Sequence, residues 1–134
     1  MRRFEDLQAW QKARGLVREV YKSCQDEKLK KDWGFRDQFC RAAVSSMSNI
    51  AEGFGRKNDR EFARFLDIAK GSTTEVQSLL HVALDVGYLN RDQFDRLYKL
   101  AGEAASLISG LTSYLRKGEK GLSEVRSPKS DAKI

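Results

Sequence analysis

Between Phe94 and Leu115 the residues Phe94, Leu97, Ala101, Ala104, Ile108, Leu111 and Leu115 succeed one another at alternating steps of three and four without a fault. Only a helix of about 3.6 residues per turn gathers such a series on one face; a strand would scatter it over two. The spacing recurs three more times. Leu7, Trp10, Ala13, Val17, Val20 and Cys24 predict a first helix beginning near Phe4. Phe39, Ala43, Met47, Ile50 and Phe54 predict a second from near Phe35, beside a stripe of short side chains, Ala42, Ser46, Asn49 and Gly53. Phe62, Phe65, Ala69, Thr73, Val76, Leu80 and Ala83 form the seam of a third.

The ends of these runs are marked. Asn58 with Glu61, and Asn90 with Gln93, have the capping-box spacing, in which each side chain satisfies an orphan amide of the first turn. Leu89 and Phe94 flank the second box as a hydrophobic staple, and Gly87 suits a left-handed stop. The charged run from Asp26 to Asp32 separates helices one and two. After Gly118 the periodicity dissolves into "EKGLSEVRSPKSDAKI", too poor in apolar residues to offset ordering entropy. The expected organisation is a bundle over 1–117 and a flexible tail over 118–134. Nothing alternates as a strand would. Four helices of about 20–28 residues, each roughly 30–40 Å long, with short connections make an all-α, antiparallel up-down four-helix bundle.

Composition narrows the setting. No apolar run approaches the roughly 20 residues of a membrane span, and the opening Met1-Arg2-Arg3-Phe4-Glu5-Asp6 lacks the apolar core of a signal peptide. Cys24 and Cys40 match neither zinc nor redox-motif spacing, so free thiols in a reducing cytoplasm are expected. The formal net charge is +6, of which residues 117–134 supply five cations against three acids, leaving the bundle near +4. An anionic partner fits that excess.

The stretch "SNIAEGFGRKNDREF", residues 48–62, invites a catalytic or phosphate-binding reading. A phosphate cradle needs a preceding strand and a Gly-Lys-Ser/Thr ending, and neither is present. A di-iron bundle needs Glu-x-x-His on two helices, whereas the chain has one histidine, His81, with Ser78 three residues before it. Nothing marks an enzyme, a cofactor or a metal site. The stretch reads instead as the corner joining helices two and three. Folding back around Lys57-Asn58 pairs residues whose numbers sum to about 115, so Ala42, Ser45 and Ser46 should meet Lys70 to Thr73. Small residues then face small residues and the axes can approach closely. Arg41 should fall opposite Glu75 as an ion pair. Asn49 should bond across the helix pair, and Glu52 should pair with Arg56 one turn on.

Two surfaces are candidates for binding. On helix one, Arg3, Arg14, Arg18 and Lys22 fall within about 100° of arc, with Trp10 and Tyr21 alongside. Lys28, Lys30 and Lys31 extend this strip, and basic strips with neighbouring aromatics suit phosphates. On helix four, Leu100, Leu107 and Tyr114 widen the apolar arc beyond one seam, while Gly102, Ser106, Gly110 and Ser113 line its other flank. Leaving that apolar row wet would forgo about 1.5–3 kcal/mol per large side chain, so a homo-oligomer is expected through helices one and four. The competing expectation is a protein–protein scaffold with no nucleic-acid role.

Three segments also carry a resemblance. "FEDLQAWQKARGLVREVY" has the pattern F-x-x-L-x-x-W-x-x-A, and "GFRDQFCRAAVSSMSNIAEGFGR" has the pattern G-[LF]-x-x-Q-x-x-R-A-x-x-S-x-x-x-N-I-A-E-G-x-x-R. With "FARFLDIAKGSTTEVQSLL", they resemble the proteins encoded in 23S rRNA intervening sequences, related to accessory proteins of diversity-generating retroelements. Gln38, Arg41, Ser45, Asn49, Glu52, Gly53 and Arg56 match the central signature; Gly71, Ser72 and Glu75 match the third helix. Met47 stands where a proline is frequent and Thr73 where a large aliphatic is usual. The resemblance implies a four-helix bundle assembled as a ring of five, without known enzymatic activity. From the retroelement relatives it implies basic surfaces that meet RNA or DNA and a reverse transcriptase.

Overall fold

The computed structural model describes residues 3–121, and they form four helices: α1 (Gln8–Ser23), α2 (Trp33–Phe54), α3 (Asp59–Asp85) and α4 (Arg91–Gly121). Two single-turn 3-10 segments, Phe4–Asp6 and Leu29–Lys31, precede α1 and α2. Each helix packs on its neighbours in the chain, and α1 closes the bundle against α4. Among the described residues there is no strand.

Local chemistry explains the boundaries. Leu7 is extended (φ −73°, ψ 127°), so α1 starts at Gln8 and the segment from Phe4 is a separate turn, not the first turn of the helix. Asp32 accepts a hydrogen bond from the Phe35 amide at 3.2 Å, which caps α2 and starts it at Trp33, earlier than the apolar periodicity indicates. At α4 the capping box is reciprocal: Gln93 N–H donates to Asn90 Oδ1, and Asn90 N–H to Gln93 Oε1, both at 2.8 Å. At α3 the box is one-sided: Glu61 N–H donates to Asn58 Oδ1 at 2.9 Å, while the Glu61 carboxylate faces Arg64 at 3.8 Å. Gly87, at φ +84°, takes the left-handed conformation expected of it and turns the chain from α3 towards α4.

All seven apolar residues of the α4 series are buried. The interior divides into two apolar clusters. One gathers Leu16, Val20, Phe39, Val76, Leu80 and Leu97; the other gathers Leu7, Trp10, Ile50, Leu66, Ile108 and Leu111. Along α2 and α3, Ser46 and Thr73 lie between the two clusters, fully buried. Their hydroxyls meet at 2.9 Å, and Thr73 also donates to the Ala69 carbonyl at 2.9 Å. Thr73 is therefore a satisfied polar residue within the core.

The helix of α4 continues through Gly121, so residues 118–121, placed in the tail by their composition, are helical. The rest of the expected tail, 122–134, lies outside the described residues, as do residues 1 and 2.

Candidate nucleic-acid interface

The signature residues gather on the α2–α3 pair. Ser45 Oγ and Ser72 Oγ meet at 2.8 Å, each one residue before its partner in the buried Ser46–Thr73 contact, so small residues do face small residues. At Gly53 the approach is closest: an added Cβ would lie 2.7 Å from Phe65 Cβ and 3.0 Å from the Phe62 ring. Gly71 differs. It was expected in the small-residue contact, yet it faces outward, with nothing within 4 Å of a Cβ built there.

Three polar expectations resolve differently. Arg41 does not reach Glu75; its guanidinium lies 2.8 Å from Asp37 on its own helix, and Gln38 Nε2 donates to Glu75 at 3.2 Å instead. Counting from the Ser45–Ser72 contact leaves Arg41 level with Glu75, so the exchange of Arg41 for Gln38, one turn before it, comes from the face of α2 each occupies and not from the register. Asn49 does not bond across the pair either. Its amide donates back to the Ser45 carbonyl at 2.8 Å and to Ser45 Oγ at 3.0 Å, and so reaches α3 only through that serine. Glu52 and Arg56 form the expected local pair at 3.2 Å, and Arg56 also covers the Phe65 ring at 4.6 Å. None of these groups converges on a cavity with a nucleophile and a base. Among the described residues, no cluster of three or more histidine, cysteine or carboxylate side chains could hold a metal ion.

The basic strip is partly realised. Arg14, Arg18 and Lys22 are exposed on α1. Arg3 leaves this arc, because it precedes the helix and the 100° step does not apply there; it lies 3.8 Å from Glu5. Lys22 is near Glu19 (3.8 Å) and Lys30 near Glu27 (3.2 Å). Lys28 and Lys31 are exposed in the α1–α2 connection. Arg14 lies 5.6 Å from the centre of the Trp10 ring, which is itself buried, so that indole supports the arginine and offers little face to a ligand. Arg14 and Arg18 make no ion pair among the described residues. Tyr21, by contrast, is 47% exposed, and Trp33 at the start of α2 is 74% exposed. No periodicity marked Trp33; the exposure follows from the Asp32 cap, which sets the rotation of the first turn.

Between α1 and α4 runs a groove of about 590 Å³ lined by Gln11, Lys12, Gly15, Arg18, Leu100 and Leu107. Leu100, Leu107 and Tyr114 are half-buried, at the edge of the core. Two ion pairs bridge α1 and α4 beside the groove: Lys12 with Glu103 at 3.4 Å and Arg96 with Glu19 at 2.6 Å. The acids beside the strip are thus already engaged, which leaves Arg18 as the cation at its rim.

No helix among the described residues is long and apolar enough to cross a membrane. No curated protein matches the chain. Its fold is similar to that of a solved protein from Bacteroides thetaiotaomicron, of unknown function and assigned to the S23 ribosomal protein family. The two share 20% identity with a TM-score of 0.71, over 78% of this chain and 97% of that one. The closely packed α2–α3 corner and most of the bundle around it fall within residues 5–110, which match the model of the 23S rRNA-intervening sequence proteins, and the chain belongs to that family.

Proposed function

We propose that the protein is a non-enzymatic, homo-oligomeric adaptor of the cytoplasm that engages RNA or DNA through charge. The observation that carries the reading is the pair Arg14 and Arg18, exposed one turn apart and free of carboxylate partners among the described residues. Assembly as a ring, of five subunits by the family resemblance, would repeat this pair around an axis and multiply weak phosphate contacts. The groove of Leu100 and Leu107 beside Arg18 is the face we assign to assembly. A reverse transcriptase or another nucleic-acid-processing protein is the partner class that fits such an adaptor.

The test is a salt titration of RNA and DNA binding. Each phosphate contact contributes a slope of about 0.7–0.9 in log K against log salt. Reversing Arg14 and Arg18 to glutamate should remove roughly two such contacts per engaged subunit. Binding that ignores salt, or survives the reversal unchanged, overturns the proposal. The scaffold reading then stands, and the 74% exposure of Trp33 marks where a protein partner would sit.

A further inference from the structure

Cys24 and Cys40 are separated by 16 positions, yet α1 and α2 bring their sulfurs to 3.5 Å, both as free thiols. Cys24 is the C-cap of α1 and is 2% exposed. Cys40, on α2, is only half-buried and opens into two adjoining hollows of about 470 and 300 Å³ between the helices. Tyr21, Arg36, Asp37 and Arg41 surround these hollows. One sulfur is therefore reachable from solvent, and the other lies directly behind it.

We propose that this pair is an oxidisable dithiol, entered at Cys40 and closed by Cys24, whose co-reactant is a low-molecular-weight disulfide. The Cys40 thiolate attacks one sulfur of the reagent, whose other half leaves as a thiol. Cys24 then gives up its proton and attacks Cys40 Sγ, expelling the second half as a thiol. Two electrons pass from the protein to the reagent, and one intramolecular S–S bond replaces the reagent's own. Closing 3.5 Å to the bond length of about 2 Å asks roughly 1.5 Å of travel, shared between two side chains. Cys24 closes the helix, and the irregular connection to Asp32 that follows gives that end of α1 room to adjust. Burial and the neighbouring Cys40 push the Cys24 thiol up to about 12, while Arg36 opposes them. Cys24 is thus the slower, second participant.

The order of events makes the test specific. The native protein is incubated with oxidised glutathione and followed by intact mass and by mapping of linked peptides. The expected product has lost two hydrogens, links Cys24 to Cys40, and melts about 5–15 °C higher until dithiothreitol reverses it. Cys24→Ser should stop at one glutathione on residue 40, and Cys40→Ser should take up none while folded. A lasting adduct on Cys40 in the wild type, chains cross-linked through Cys40, or no reaction without denaturant would each overturn the proposal. The Cys40→Ser variant, altered at the half-exposed position, keeps the comparison valid if Cys24→Ser proves unstable.

Discussion

A hydroxyl has one proton to give, and at the centre of the bundle that sets a direction. Thr73 donates to the Ala69 carbonyl, so the proton in the Ser46–Thr73 contact comes from Ser46. Thr73→Val leaves a buried donor without that acceptor and should cost about 1–3 kcal/mol, whereas Ser46→Ala should cost about 1 kcal/mol. The double variant should cost less than the sum, with a coupling of about 0.5 kcal/mol or more in urea unfolding. Strict additivity would show that the contact carries no energy. Gly53 makes a sharper case. A methyl group there would lie 2.7 Å from Phe65 Cβ, a backbone-anchored atom that cannot swing away. Gly53→Ala should therefore destabilise by about 1–3 kcal/mol through overpacking. Gly71→Ala, where nothing lies within 4 Å, should instead stabilise by about 0.5–1 kcal/mol by removing a flexible residue from a helix. Both glycines match the family signature, but only the first has a reason in the packing of this chain.

Elements are held in place by their ends. Asp32 both caps α2 and accepts from Tyr88 Oη at 2.5 Å, which ties the α2 start to the turn between α3 and α4. That hydroxyl, with the Phe35 amide, holds the Asp32 carboxyl below its usual range, and the carboxylate in return raises the Tyr88 phenol. The signs follow from linkage. A lowered acid contributes stability above its unfolded value, lost as pH falls through the folded one. A raised phenol contributes below its unfolded value, lost as pH rises through the folded one. Tyr88→Phe should accordingly lower Tm at neutral pH and flatten the dependence at both the acid and alkaline ends. A thermal-melt series from acid to alkaline pH checks this, and unchanged curvature would remove the contact from any stabilising role. The Asp32 cap was legible in principle, since an aspartate directly precedes the run, but the charged segment around it hid the start. Tyr88 was not legible, because 56 residues separate it from the carboxylate it meets.

At the scale of the whole molecule, the exposed rim of the α1–α4 groove bears on assembly. Light scattering at micromolar concentration should give a mass well above one chain, and Leu107→Glu should reduce it while the helical circular dichroism persists. A monomeric wild type would end the assembly proposal without touching the fold. The sequence by itself determined the four helices, the whole seam of α4 and two of the caps, because periodicity and end chemistry act over a few residues. In α1 and α3 the seam is shifted by one position in places, with Leu16 and Leu66 buried beside the half-buried Val17 and Phe65 of the expected series. The sequence determined the small-residue corner too, since antiparallel folding at a known turn pairs residues by simple counting. Only the tertiary structure decided that Gln38 and not Arg41 meets Glu75, and that Gly71 faces outward. It alone placed Tyr88 on Asp32 and set the two cysteine sulfurs side by side. Those outcomes depend on the rotation of each helix about its own axis and on how its ends meet the turns, and a rotation of roughly 40–60°, invisible to a three-four pattern, exchanges one neighbour for the next.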